Sequence, residues 1–113
     1  MRAAAARIET AVEQGVAERP VLMVQMSMPG ESMLRMALWE YLTHGSDLAR
    51  ATGQDWNPPT AAVENALDFA PRMLTDEYRG EGKDFGPAVP VPEDAPALDR
   101  LLGFSGRDPR WKA

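Results

Sequence analysis

A glutamate and a histidine four residues apart are the pair in this sequence whose types and spacing could do chemistry. Glu40 and His44 fall within a segment of helical periodicity, and the i, i+4 spacing places both side chains on one helix face. A carboxylate oxygen and an imidazole nitrogen in this arrangement can bind one divalent metal ion, typically zinc. Asp47 follows one turn later, where its carboxylate could accept the proton of the other imidazole nitrogen.

The same spacing has an ordinary alternative explanation. Glutamate and histidine at i, i+4 often form a weak surface pair worth about 0.2–0.5 kcal/mol, here close to Arg35 or Arg50 in the sequence. Catalytic zinc usually has about three protein ligands, and His44 is the single histidine of the chain. One copy therefore offers an incomplete ligand set.

Other catalytic arrangements are less well supported by the sequence. The serines lack the Gly-x-Ser-x-Gly setting of a nucleophile elbow. Gly80-Glu81-Gly82 does not follow a strand and open a helix, as a phosphate-binding loop would. The catalytic residues, if there are any, stay unassigned at this stage.

Composition limits the classes of function. The 113-residue chain has 12 Lys and Arg against 17 Asp and Glu, a net charge of −5. Such an acidic chain disfavours binding to nucleic acids and to anionic membranes. The absence of cysteine excludes disulfides, iron–sulfur clusters and thiolate zinc sites. We find no targeting or membrane-spanning pattern, and we expect a single cytoplasmic domain over residues 1–113.

Apolar periodicity predicts the first elements of the chain. Residues 2–18 predict an amphipathic helix, and residues 21–28 alternate with period two, which predicts an extended crossover with at most one short strand. The strongest helical pattern runs over residues 31–51 and is closed by Gly53 as a C-cap. The apolar side chains assigned to the inner faces of the two helices are Ile8, Val12, Val16, Leu34, Leu38, Tyr41 or Leu42, and Leu48.

The second half predicts two shorter helices and an irregular tail. A helix over residues 60–74 would turn Val63, Ala66 or Leu67, and Ala70 inward, and Pro71 should kink it or end it early. The Gly- and Pro-rich residues 79–94 predict either an ordered tail laid over the body or a mobile arm. A short helix over 97–104 follows. Trp39 and Trp56 are expected to anchor packing, and Trp111 is expected to hold the C-terminus in place. The predicted fold is an all-α helical bundle with a Pro/Gly-rich C-terminal wrap.

These motifs together resemble a known family. Residues 39–53 are similar to the Glu–x–x–x–His–x–x–Asp-Leu-Ala-x-Ala-Thr-Gly segment of the mycothiol-dependent maleylpyruvate isomerase family, within the DinB-like metal-binding superfamily. The tail resembles the C-terminal signature of the same group. The tail motifs are Phe85-Gly86-Pro87, Val89-Pro90-Val91-Pro92, Asp94-Ala95-Pro96, Leu98-Asp99-Arg100-Leu101-Leu102 and Gly106-Arg107-Asp108-Pro109. The resemblance covers roughly residues 25–110.

The resemblance implies a metal-dependent reaction of a thiol. In that family a bundle holds one divalent metal, often zinc, through a histidine of an early helix and a later Glu–x–x–x–His pair, which Glu40 and His44 match. The metal activates the thiolate of mycothiol, which adds to the cis double bond of maleylpyruvate. Rotation and loss of the thiol give fumarylpyruvate. A metal suits this chemistry because it lowers the pKa of a bound thiol and stabilises an enolate oxygen. The partners implied are a small-molecule thiol and an electrophilic substrate.

Two departures from the family pattern leave alternatives open. The early segment with the first histidine has no counterpart here, and Ser46 stands where many relatives carry tryptophan. A second chain, a water or a carboxylate would complete the metal shell, or the site is degenerate. A DinB-like bundle truncated at its N-terminus should expose apolar faces and either form a homodimer or be unstable, unless the chain is a fragment of a longer product. The sequence thus predicts a metal-binding, thiol-dependent isomerase or transferase, with a self-associating, non-catalytic helical interaction module as the alternative.

Overall fold

The computed structural model describes residues 2–23, 26–111 and 113. The chain divides into two compact units, Met1–Ala37 and Leu38–Ala113. Four α-helices and one two-stranded sheet are present in the described residues. The mainly helical class is therefore confirmed, whereas the sheet was not predicted. The single domain over 1–113 stays a prediction.

Helix α1 of the first unit covers Arg2–Glu13, and is shorter than the predicted helix over 2–18. Gly15 ends the segment because it adopts a left-handed conformation with φ of 83°, which glycine accepts without steric cost. A 3₁₀ turn, Val16–Glu18, follows and buries Val16. The predicted inner face of α1 is wrong for Ile8 and Val12, which are both exposed.

A β-hairpin follows, formed by strands β1 (Pro20–Met23) and β2 (Met26–Pro29). The strands are antiparallel, with Val21 opposite Met28. The period-two pattern over 21–28 indicated extended chain correctly but did not reveal the reversal, so the prediction of at most one strand is wrong. Val24 and Gln25, which belong to that pattern, lie outside the described residues.

Helix α2 runs over Gly30–Ala51 and carries both candidate ligands. It agrees with the predicted helix over 31–51, and the boundary between the two units falls inside it. Gly53, with φ of 69°, ends the helix as predicted, and the Gln54 amide donates to the Ala49 carbonyl at 2.8 Å, the pattern of a Schellman cap. None of the helices in the described residues combines the length and the hydropathy that a membrane span requires.

The core of the second unit lies between α2, helix α3 (Thr60–Met73) and helix α4 (Ala97–Phe104). Helix α3 passes through Pro71 and ends one residue before the predicted end. Leu42, rather than Tyr41, enters the core, and the inward prediction for Leu48 is wrong because that side chain is 65% exposed. The buried members of the cluster are Trp39, Leu42, Val63, Ala66, Ala70, Leu74 and Leu101.

Residues 79–94 form an irregular tail that packs on α4. The Val89 amide donates to the Gly103 carbonyl at 2.8 Å, and the Arg79 guanidinium donates to the carbonyls of Gly86 and Phe104. Of the two predicted alternatives, the ordered tail is confirmed. Gly103 permits this contact because a Cβ there would lie 2.4 Å from Val91 Cγ2.

Candidate metal site on helix α2

Glu40 and His44 lie one turn apart in α2, and both are exposed. The helix is continuous through the two positions, so their side chains leave the same face. The His44 side chain is 68% exposed, which means that the pair opens to solvent and not into an enclosed pocket. An ion or a second molecule can therefore reach both groups directly.

Asp47 lies beside the imidazole of His44, but its closer partner is Arg107. The distance from His44 Nδ1 to Asp47 Oδ2 is 3.5 Å, longer than a good hydrogen bond. Arg107 donates from Nε to Oδ1 at 3.1 Å and from Nη2 to Oδ2 at 2.9 Å. The carboxylate is therefore held by a bidentate arginine pair, and its contact with the imidazole is secondary.

The electrostatics of this cluster keep Asp47 ionised. The hydrogen bonds from Arg107 lower the pKa of the Asp47 carboxyl below its ordinary value, against a smaller opposing effect of partial burial. The charges of Arg107 and His44 lower the pKa further. A carboxylate held on the Nδ1 side of an imidazole is an arrangement that commonly orients a histidine ligand.

Sequence reasoning missed Arg107 as a member of this cluster. The two residues of the ion pair are separated by 60 positions, and Arg107 entered the sequence analysis only within the tail signature. A third donor, Nη1, binds the Ser105 carbonyl at 2.8 Å, which ties the arginine to the end of α4. The available signal was the presence of both residues in the two motifs that carry the resemblance, but nothing in their spacing indicates contact.

Two tryptophans support α2 around the candidate ligands. On the buried side, the Trp39 indole N–H donates to the Ser105 hydroxyl at 2.9 Å. At the flank of the helix, Trp56 packs against Gly45 and donates from its indole to the Leu42 carbonyl at 3.2 Å. The prediction that these tryptophans anchor packing is confirmed, and they fix the part of α2 that carries Glu40 and His44.

Two clefts adjoin this helix near the C-terminal turn. Their volumes are about 670 and 350 Å³, and both are lined by Ser46, Arg50 and Trp111. The Arg50 guanidinium donates to the backbone carbonyls of Pro109 and Trp111, and it is therefore engaged with the C-terminal turn and not with Glu40. Trp111 thus secures the C-terminus through its carbonyl, while its indole is exposed.

The donor set of this region fits a divalent ion in part. Glu40 offers a carboxylate oxygen and His44 an imidazole nitrogen, and zinc accepts both. Among residues 2–23, 26–111 and 113, no group of three or more His, Cys, Asp or Glu side chains is placed to hold a metal ion. The pair therefore supplies two ligands of a site that requires about four.

The chain has relatives in Mycobacterium tuberculosis. It is 38% identical over 84 residues to the uncharacterized protein MT0763 of strain CDC 1551 / Oshkosh and, with the same figures, to the uncharacterized protein Rv0738 of strain ATCC 25618 / H37Rv. The match includes 74% of this chain and 46% of each relative, so the chain spans about half the length of the relatives it matches. No family model matches the chain. No solved structure matches it either.

Proposed function

We propose that this protein binds a divalent metal ion, zinc in the first place, through the Glu40 carboxylate and the His44 imidazole. We further propose that it acts with a small-molecule thiol such as mycothiol in an isomerase or transferase reaction, as the resemblance to the mycothiol-dependent maleylpyruvate isomerases of the DinB-like superfamily implies. The bundle would then be a DinB-like one.

One observation carries the metal proposal. His44 and Glu40 are exposed on one face of a continuous helix, and the Nδ1 side of the His44 ring faces an aspartate that Arg107 holds at 2.9 Å. A histidine ligand is commonly oriented by a carboxylate on its second nitrogen.

A bound metal would supply Lewis acidity, which lowers the pKa of a coordinated thiol and stabilises a developing enolate. The residues of the chain have separate roles in this proposal. Glu40 and His44 bind the ion, Asp47 orients the imidazole, and Arg107 keeps Asp47 ionised and in position. Ser46 and Arg50 line the adjoining clefts, and a small substrate would be bound in the cleft that Asp47 and Arg107 also line.

Elemental analysis of protein purified without chelators tests metal binding. We expect a bound divalent metal in the wild-type chain, and a large loss in His44→Ala and Glu40→Gln. The matched control is Glu64→Gln, an exposed carboxylate on α3. Absence of metal from the wild type, or equal metal in the wild type and His44→Ala, would overturn the proposal.

The second candidate function is a non-catalytic helical module that self-associates or docks on another protein. It is favoured by the exposure of Tyr41 and Leu48, at 54% and 65%, on the solvent side of the same helix. Large apolar side chains in such a row mark interaction surfaces more often than isolated ones do. A stable monomer in the absence of metal, measured by light scattering and with no binding partner, would remove this candidate.

A further inference from the structure

We propose that the ligand set on α2 is completed by the same two residues of a second copy of the chain, so that one metal ion joins two antiparallel α2 helices. This inference rests on the metal binding proposed above. It names the second copy as the partner that supplies the missing ligands, and it makes the exposed face of α2 a metal-dependent dimer interface.

The number of ligands favours a second copy of the chain. Each chain provides one carboxylate and one imidazole, and in the described ranges no third acidic or imidazole group is placed to join them. Zinc is most often bound by about four ligands in a tetrahedron. Two copies provide two imidazoles and two carboxylates, which is a complete set.

The spacing of Glu40 and His44 suits a two-fold axis. The two positions lie at equal distances on either side of residue 42 along the helix, separated by about 6 Å of rise. When two α2 helices cross in antiparallel orientation at residue 42, Glu40 of each chain lies opposite His44 of the other chain. All four side chains then converge on one point. The Glu40 carboxylate of each chain lies next to the His44 imidazole of the other chain, and the two carboxylates do not face each other.

The apolar side chains of this face fit the same arrangement. Tyr41 is one residue from the crossing point at residue 42, and Leu48 lies about 9 Å from that point along the helix. The two side chains are 54% and 65% exposed in the single chain. Closure of the face would remove both from water, and burial of such side chains favours association. The net charge of −5 on each chain opposes pairing, and a divalent cation at the axis reduces that repulsion at the place where the carboxylates meet.

Sedimentation equilibrium with a zinc titration tests the inference on the full chain. The expected result is a chelator-treated monomer that becomes a dimer at one zinc per two chains. His44→Ala and Glu40→Gln should weaken zinc-dependent dimerisation by about tenfold or more, because each removes two of the four ligands. Leu48→Lys removes no ligand and should weaken the dimer as well, whereas Glu64→Gln should dimerise like the wild type. Cobalt(II) absorption of the dimer should report tetrahedral coordination.

The possible outcomes separate this inference from the proposed function. A monomer that binds one zinc per chain would overturn the dimeric site and leave metal binding intact. Absence of zinc binding would overturn both. A dimer that forms equally well in the presence of chelator, and that still forms in His44→Ala, would show that no shared metal site holds it together. This result would favour the non-catalytic module. A monomer that binds a different protein through Tyr41 and Leu48 would also overturn the inference, because the exposed face of α2 would then be covered by that protein and not by a second copy of the chain.

Discussion

The indole N–H of Trp39 donates to the hydroxyl of Ser105 at 2.9 Å across 66 residues of sequence, and both side chains are buried. The same hydroxyl donates to the Leu101 carbonyl at 2.7 Å. Ser105 therefore serves as acceptor and donor at once, and it joins the helix of the candidate ligands to the end of α4. Because neither group can reach water, the position of α2 in the second unit depends on this bond.

Ser105→Ala should reduce the free energy of unfolding by about 1–3 kcal/mol, because the Trp39 indole N–H would be left buried without an acceptor. Denaturant unfolding at neutral pH measures the loss. Thr10→Ala removes an exposed side-chain bond and should change stability by less than about 0.5 kcal/mol. In a Trp39→Phe background the donor is absent, so the effect of Ser105→Ala should shrink; an undiminished effect would show that the hydrogen bond is not its cause.

Gly45→Ala should destabilise the second unit although alanine is the better helix former. A Cβ at Gly45 would lie 2.4 Å from Cζ2 of Trp56, and overpacking of this kind costs about 1–3 kcal/mol, against a propensity gain of about 1 kcal/mol. Thermal unfolding and the emission of the displaced tryptophan measure the effect. Gly86→Ala is the control, since no atom lies within 4 Å of its added Cβ. A stabilised Gly45→Ala variant would contradict the packing described here.

Asp47→Asn should make the protein less stable at neutral pH and less sensitive to acid. The pKa of Asp47 is lowered from its usual 3.8 in the folded chain, chiefly by Arg107, so its ion pair stabilises the fold above that pH. The contribution is lost as the pH falls through the lowered pKa. For a partly exposed pair we expect a difference of about 0.5–1 kcal/mol at pH 7.

Urea unfolding of metal-free protein between pH 7 and pH 2 measures this difference. The gap between wild type and Asp47→Asn should be fully present at about pH 5 and shrink below about pH 4, where the Asp47 carboxylate is protonated. Asp55→Asn, at an exposed position on the loop after α2, serves as the matched control. A gap that widens below about pH 4 would reverse the sign and refute the assignment.

Arg79→Met should loosen the tail on α4. The substitution removes donors to the carbonyls of Gly86 and Phe104 and the contact of the guanidinium with the Phe104 ring, 4.5 Å from its centroid. We expect a loss of about 1–2 kcal/mol and faster hydrogen exchange at the amides of Gly80 and Val89. Unchanged exchange at both amides would mean that the tail is held by apolar packing alone.

The helices were predictable because their signals are local. The α2 helix over 30–51 has strong apolar periodicity and a glycine C-cap at Gly53. The α4 helix covers residues 97–104, the same residues over which the sequence shows an apolar edge. The hairpin was missed because an alternating pattern identifies extended chain but carries no information on where the chain reverses. Leu48 was misassigned since apolar periodicity identifies a face and not what covers it.

The sequence by itself determined the mainly helical class, the two candidate ligands and their common face, since each follows from spacing along a single helix. The tertiary structure decided which neighbour holds Asp47, which tryptophan supports which side of α2, and that Tyr41, His44 and Leu48 lie in the open. These facts depend on exposure and on contacts between residues that are 14 to 66 positions apart. Such contacts form when separate elements pack together, and a one-dimensional pattern does not encode that packing.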